Sequence, residues 1–68
     1  MLSNKMMRRK EVESLLGLSR STIYDKMNPK SSRYDKEFPR PIKLSLNAVG
    51  WFEQDVYNWL KTRNLARY

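Results

Sequence analysis

Apolar positions along the chain fall into short periodic runs separated by polar connectors, and their spacing predicts three helices and one hairpin. In RKEVESLL, residues 9–16, Val12, Leu15 and Leu16 recur at i, i+3 and i+4 and share one helical face. Glu11 and Glu13 fall early, where the helix dipole favours negative charge. Gly17 follows and can adopt the left-handed conformation at which many helices end. Met6 and Met7 precede this helix and are expected to pack beneath it. A second helix is predicted over 20–27. Ser19 is suited to cap it, since its hydroxyl can accept from a free backbone N–H. Ile23 and Met27, four apart, face the first helix. Asn28-Pro29 stops it, because the residue before a proline is pushed out of the helical region.

All three prolines fall between residues 28 and 50. NPKSSRYDKE is polar and loop-like. In FPRPIKLS, Ile42 and Leu44 alternate with Lys43 and Ser45, the pattern of a half-buried strand. Leu46-Asn47 make a plausible turn and AVGW returns as a second strand. Pro39 and Pro41 confine the first strand to an edge. A ribbon this short must lean on the helices for stability. Over 52–64, Phe52, Val56, Trp59 and Leu60 recur at i, i+4, i+7 and i+8, with Glu53 and Asp55 in the first turn and Lys61 and Arg63 in the last, which predicts a third helix. Trp59 belongs to its apolar stripe and Trp51 is expected to close the core, so neither reads as a stacking platform for single strands. No repeat, low-complexity tract or linker interrupts the pattern. We expect one domain over 1–68 with its core at about 7–63.

Two short helices joined by a glycine-containing turn form the helix-turn-helix signature. Gly17 turns the chain, Leu18 plugs the space between the helices, Ser19 caps, and Ile23 and Met27 hold the second helix from behind. Its front is then free to enter a major groove, where the first residues of such a helix reach base edges. Arg20 and Ser21 lead, Tyr24 and Asp25 follow one turn later, and Asn28 extends the face. Arg20 suits guanine O6 and N7, and Asp25 suits a cytosine amino group. Ser19, Thr22 and Tyr24 hydroxyls suit phosphate oxygens. The hairpin adds a wing, to which Lys30, Arg33, Lys36, Arg40 and Lys43 are assigned as phosphate or minor-groove contacts, with Arg8, Arg9 and Lys10 adding cations near the first helix. The expected fold is therefore α+β, a small winged helix-turn-helix with three helices and a two-stranded β-hairpin wing. The plainer reading is a capped helix with solvated serines and an ordinary exposed loop, with Tyr34 packed in that loop.

Charge weighs against the plainer reading. Fourteen Lys and Arg face seven Asp and Glu, for a net charge of +7 and a pI near 10.1, which suits a polyanionic partner. The chain has no cysteine and no histidine. That removes disulfides, the usual zinc ligands and the commonest general base. With no clustered carboxylate pair either, we expect no enzyme, metal or cofactor. No apolar run approaches the roughly 18 residues of a membrane span, and the N-terminus lacks a secretory h-region, so a cytoplasmic protein is expected. No aromatic-rich strand motif points to RNA.

The segments RRKEVESLLGLSRSTIYDKM and FPRPIKLSLNAVGWFEQDVYNWLKTR resemble the AlpA-like phage and prophage regulators. These are small, MerR-like winged-helix DNA-binding proteins related to phage excisionases. The resemblance covers about residues 7–63, and KEV, GLSRSTIY, FPRPIKL, VGW and DVYNWL carry it by their order and spacing. It implies control of integrase or excision functions, direct excisionase action, or both, with Arg20, Ser21, Thr22 and Tyr24 in the recognition helix. Three departures stand out. Asp25 occupies a position that is often basic in the family, NPKSSRYDKE is longer than the usual connection, and Phe52 replaces a frequent polar or basic residue. The resulting expectation is a sequence-specific duplex-DNA regulator of a mobile element, in a bacterial host, whose copies assemble on adjacent sites and, as an excisionase, bend DNA for an integrase. A protein-interaction adaptor holding an integrase or polymerase is the alternative.

Overall fold

The computed structural model describes residues 5–63. Its elements run β1 (Met6–Arg8), α1 (Arg9–Leu16), α2 (Arg20–Met27), β2 (Ile42–Ser45), β3 (Ala48–Phe52) and α3 (Glu53–Lys61). The α+β winged helix-turn-helix architecture is present. The hairpin is wider than the sequence suggests. Met6 and Met7 do not simply lie beneath α1; with Arg8 they form β1, which pairs antiparallel with β3 and makes a sheet of order β1-β3-β2.

Local chemistry accounts for the helix boundaries. The backbone N–H of Arg8 donates to Glu11 Oε1 at 2.9 Å, which fixes the start of α1. Gly17 ends it at φ 67°, a left-handed conformation that favours glycine, and its N–H donates to Glu13 O at 2.8 Å. At Ser19 the hydroxyl accepts from the Thr22 backbone N–H at 3.2 Å and caps α2. The third helix runs over Glu53–Lys61, starting one residue later and ending earlier than the expected 52–64, with Phe52 as its extended cap.

The described core consists of Met7, Val12, Ile23, Phe38, Trp51, Val56 and Trp59, with Leu16, Leu18, Met27 and Val49 packed against it. Strand register shows which sheet face is inward. Met7 pairs with Trp51, and both point into the core. Met6 pairs with Phe52 and Ile42 with Gly50, so these residues share the outer face. The expected alternation in β2 is present, but it selects that outer face. Ile42 and Leu44 are exposed rather than half-buried. Gly50 lies at the centre of the outer face, where a Cβ would come within 3.1 Å of Leu44 Cδ1 and Met6 Cε. Its missing side chain lets the flanking strands close over β3.

Residues 28–41 are fastened on two sides. The Asp35 N–H donates to Lys26 O at 2.9 Å, at the end of α2. The Asp35 carboxylate accepts from Trp59 Nε1 at 3.0 Å and from Arg63 at 2.9 Å, reaching α3 and the residues just beyond it. Phe38 meets Trp59 edge to face at 5.0 Å, and Trp51 Nε1 donates to Pro39 O at 3.1 Å. Both buried indoles thus have hydrogen-bond partners, as burial requires.

Candidate nucleic-acid interface

The helix-turn-helix sets α2 with Ile23 inward and its opening residues outward. Arg20, Ser21 and Tyr24 are exposed. The guanidinium of Arg20 lies 5.7 Å from the centroid of the Tyr24 ring, one turn away, which orders the long side chain without neutralising it. The hydroxyls of Ser19 and Thr22 lie 3.0 Å apart. They form the cap together, so their first role is to hold the helix start, and a phosphate contact would add to it.

Beside this helix an open cleft of about 390 Å³ is lined by Arg8, Arg9, Lys10, Arg20, Tyr24, Asn47, Ala48 and Val49. Three separate parts of the chain meet there: the end of β1 with the start of α1, the start of α2, and the hairpin turn with the start of β3. Four of the eight lining residues are cations and none is acidic. Arg9 pairs with Glu13 one turn along α1. Among the described residues, Arg8, Lys10 and Arg20 have no carboxylate within ion-pair distance. A cleft with positive charge and no acidic lining concentrates anions. Its cations stand on two helix starts, whose dipoles have the same sign.

Of the residues expected to form the site, the cleft gathers Arg8, Arg9, Lys10, Arg20 and Tyr24. Ser21 and Asn28 are exposed at the two ends of α2, and the Asn28 side chain accepts from the Lys30 N–H at 3.0 Å. The cations assigned to the wing are distributed differently. Only Lys43 lies on the hairpin. Lys30, Arg33 and Lys36 sit in the turns of the 28–41 loop, and Arg40 donates to the Tyr34 hydroxyl at 3.1 Å. Asp25 is paired neither with Arg20 nor with Lys26 but with Arg33, at 3.7 Å. The long loop thus returns a cation to α2 and offsets its one acidic member. Asn47, Ala48 and Val49 also line the cleft, although no role was expected of them.

The opposite kind of environment surrounds Asp35. Burial pushes its carboxyl up, but hydrogen bonds from Trp59 and the Glu37 N–H, with the charges of Arg63 and Lys26, outweigh this and hold it below its ordinary value of 3.8. Among the described residues, no group of three or more metal-ligating side chains gathers, and no helix is long and apolar enough to cross a membrane.

A family model described as Prophage CP4-57 regulatory protein (AlpA) matches residues 5–64. The DNA-binding transcriptional activator AlpA of Escherichia coli (strain K12) is 49% identical over 47 residues, which cover 69% of this chain and 67% of that protein. No solved structure matches.

Proposed function

The chain belongs to the AlpA family of prophage regulatory proteins, and from that membership we propose that it is a sequence-reading, duplex-DNA-binding transcriptional regulator of a phage or other mobile element. The observation that carries this reading is the basic cleft, where Arg8, Lys10 and Arg20, without counterions, gather from the end of β1 and the starts of α1 and α2 beside the hairpin. In this reading α2 enters the major groove. Arg20 grips a guanine, Ser21 and Tyr24 contact neighbouring bases or phosphates, and Asn28 extends the face. Ser19 and Thr22 present the capped helix start to a phosphate. Arg8, Arg9 and Lys10 hold one backbone segment, and Lys43 holds another from the hairpin. Lys30, Arg33, Lys36 and Arg40 form a more distant basic rim. Asp25, offset by Arg33, accepts from a cytosine amino group where the site offers one. Such a protein acts in the bacterial cytoplasm, where the DNA is.

A single copy makes few base contacts, so copies should act together on adjacent sites. An excisionase role, in which such an array bends an attachment site for an integrase, is the second reading; the family relationship between these regulators and excisionases favours it. Footprints on the attachment site and on the integrase promoter separate the two. The test of the primary reading is an anisotropy titration on duplex DNA over a range of salt. With about six phosphates neutralised, log affinity should fall against log salt with a slope near −5. A weak, flat response removes the DNA reading and leaves the adaptor alternative, in which an integrase or polymerase is the partner.

A further inference from the structure

The tip of the β2–β3 hairpin carries a leucine that neither the core nor the turn uses. Leu46 is 83% exposed, about twice as exposed as any other large apolar residue among those described. It lies outside the core cluster and outside the ring of side chains packed on it. The turn does not call for it either. Two-residue hairpin turns favour Gly, Asn or Asp, polar or permissive residues. No described residue other than Gly17 has positive φ. A polar side chain would serve this turn at least as well.

The surroundings of Leu46 point outward to one kind of partner. Its neighbour Asn47 lines the basic cleft with Arg8, Lys10 and Arg20. Residues 38–52, the whole hairpin and its approach, include Arg40 and Lys43 and no acidic side chain. A bulge between Lys43 and Ser45 interrupts the β2–β3 pairing just before the tip, and bulges increase local twist and re-aim side chains. An apolar tip on an acid-free ribbon, at the rim of a cationic cleft, is how a protein presents a wedge to a nucleic-acid groove.

We propose that Leu46 is a DNA-distorting wedge. While α2 lies in the major groove, the hairpin tip enters the adjacent minor groove, and the Leu46 side chain partly unstacks one base step and bends the duplex toward the major groove. This rests on the DNA-binding reading above and names the group that deforms the DNA. It also predicts sequence preference at a position α2 does not touch, since pyrimidine–purine steps are the easiest to unstack.

The test uses the full chain and a duplex of about 30 base pairs, selected by that chain from a random pool and labelled at both ends for energy transfer. 2-Aminopurine is placed in turn at each step flanking the recognised half-site. The wild-type protein should shorten the end-to-end distance and brighten 2-aminopurine at one step. Leu46→Ala and Leu46→Asn should abolish both signals and weaken binding by about tenfold or less. Leu46→Met should retain them, and the circular dichroism melting point should stay unchanged throughout. Undiminished bending and unstacking by Leu46→Ala overturns the wedge and leaves DNA binding standing. So does tight wild-type binding with no distortion. Absence of wild-type binding to any duplex overturns both readings together.

Discussion

The molecule places an arginine over an aromatic ring in two regions and uses the pair in opposite ways. Near α3, Arg63 lies 4.7 Å from the centroid of the Trp59 ring and donates to Asp35 at 2.9 Å. The same carboxylate accepts from the Trp59 indole, and Lys26 covers the ring at 5.6 Å. There the fold itself supplies the counterion of Arg63. At the start of α2, Arg20 lies over Tyr24, and among the described residues no carboxylate meets it. The first pair holds the loop to the helices, and the second, in the proposed reading, is left for DNA. Whether the fold supplies a counterion thus separates an arginine held within the structure from one open to an outside anion.

The contrast is broken most severely at its structural end. Trp59→Ala removes a buried indole, its contact with Phe38 and the platform for two cations, and should cost about 3–5 kcal/mol in urea denaturation. In a chain with so small a core that is a large share of total stability. The opposite signature is expected of Arg20→Ala. It should weaken a selected DNA site by about 1–3 kcal/mol while leaving the urea midpoint unchanged. An equal loss on random DNA would show that Arg20 touches phosphate and reads no base.

Asp35→Ala falls next in size, at about 2 kcal/mol, because it strands the Trp59 indole N–H and the Glu37 N–H. Its pH dependence gives a sharper test. The Asp35 carboxyl titrates lower in the folded chain than its ordinary value of 3.8. Its stabilisation is therefore complete above that ordinary value and is lost as pH falls through the lower, folded one. The wild-type stability curve should show this acid limb and Asp35→Ala should lack that part of it. Parallel curves would remove the charge from the account. The smallest change is expected of Asp25→Asn. The Asp25–Arg33 pair is long and exposed, so stability should move by less than about 0.5 kcal/mol. Affinity for random DNA should rise modestly, because one repulsive charge leaves the recognition face.

The helices were legible because their signals are local. Val12 and Leu16, the Gly17 stop, the Ser19 cap and the Val56–Trp59 pair all lie within a few residues of what they determine, although Leu60, expected on the same stripe, is exposed. The core assignments of Trp51 and Trp59 followed in the same way. β1 was not legible: a three-residue strand carries no periodicity, and its partner, β3, lies more than forty residues away. Alternation in β2 showed that Ile42 and Leu44 share a face, but only the pairing with Gly50 shows that the face is the outer one. Phe38, at 3% exposure, was hidden in a proline-rich loop with no periodic neighbour. At the candidate site, α2 was readable from its cap and turn. The grouping of Arg8, Lys10 and Asn47 around it was not, since a tertiary cleft has no sequence spacing. The same holds for Asp35, whose partners are 24 and 28 residues away.

The outermost strand has a further consequence, in colloidal behaviour. β2 ends the sheet, its side chains are all exposed, and Ile42 and Leu44 lie on it next to Leu46. An unpaired edge of this kind is a template for a strand from another molecule. The shared net charge of +7 opposes that pairing. Concentrated salt screens that repulsion, and excess polyanion cancels it while crowding the chains together. The folded protein should therefore lose solubility when its charge is neutralised, well before heat or urea unfolds it, and turbidity should peak near charge balance with DNA.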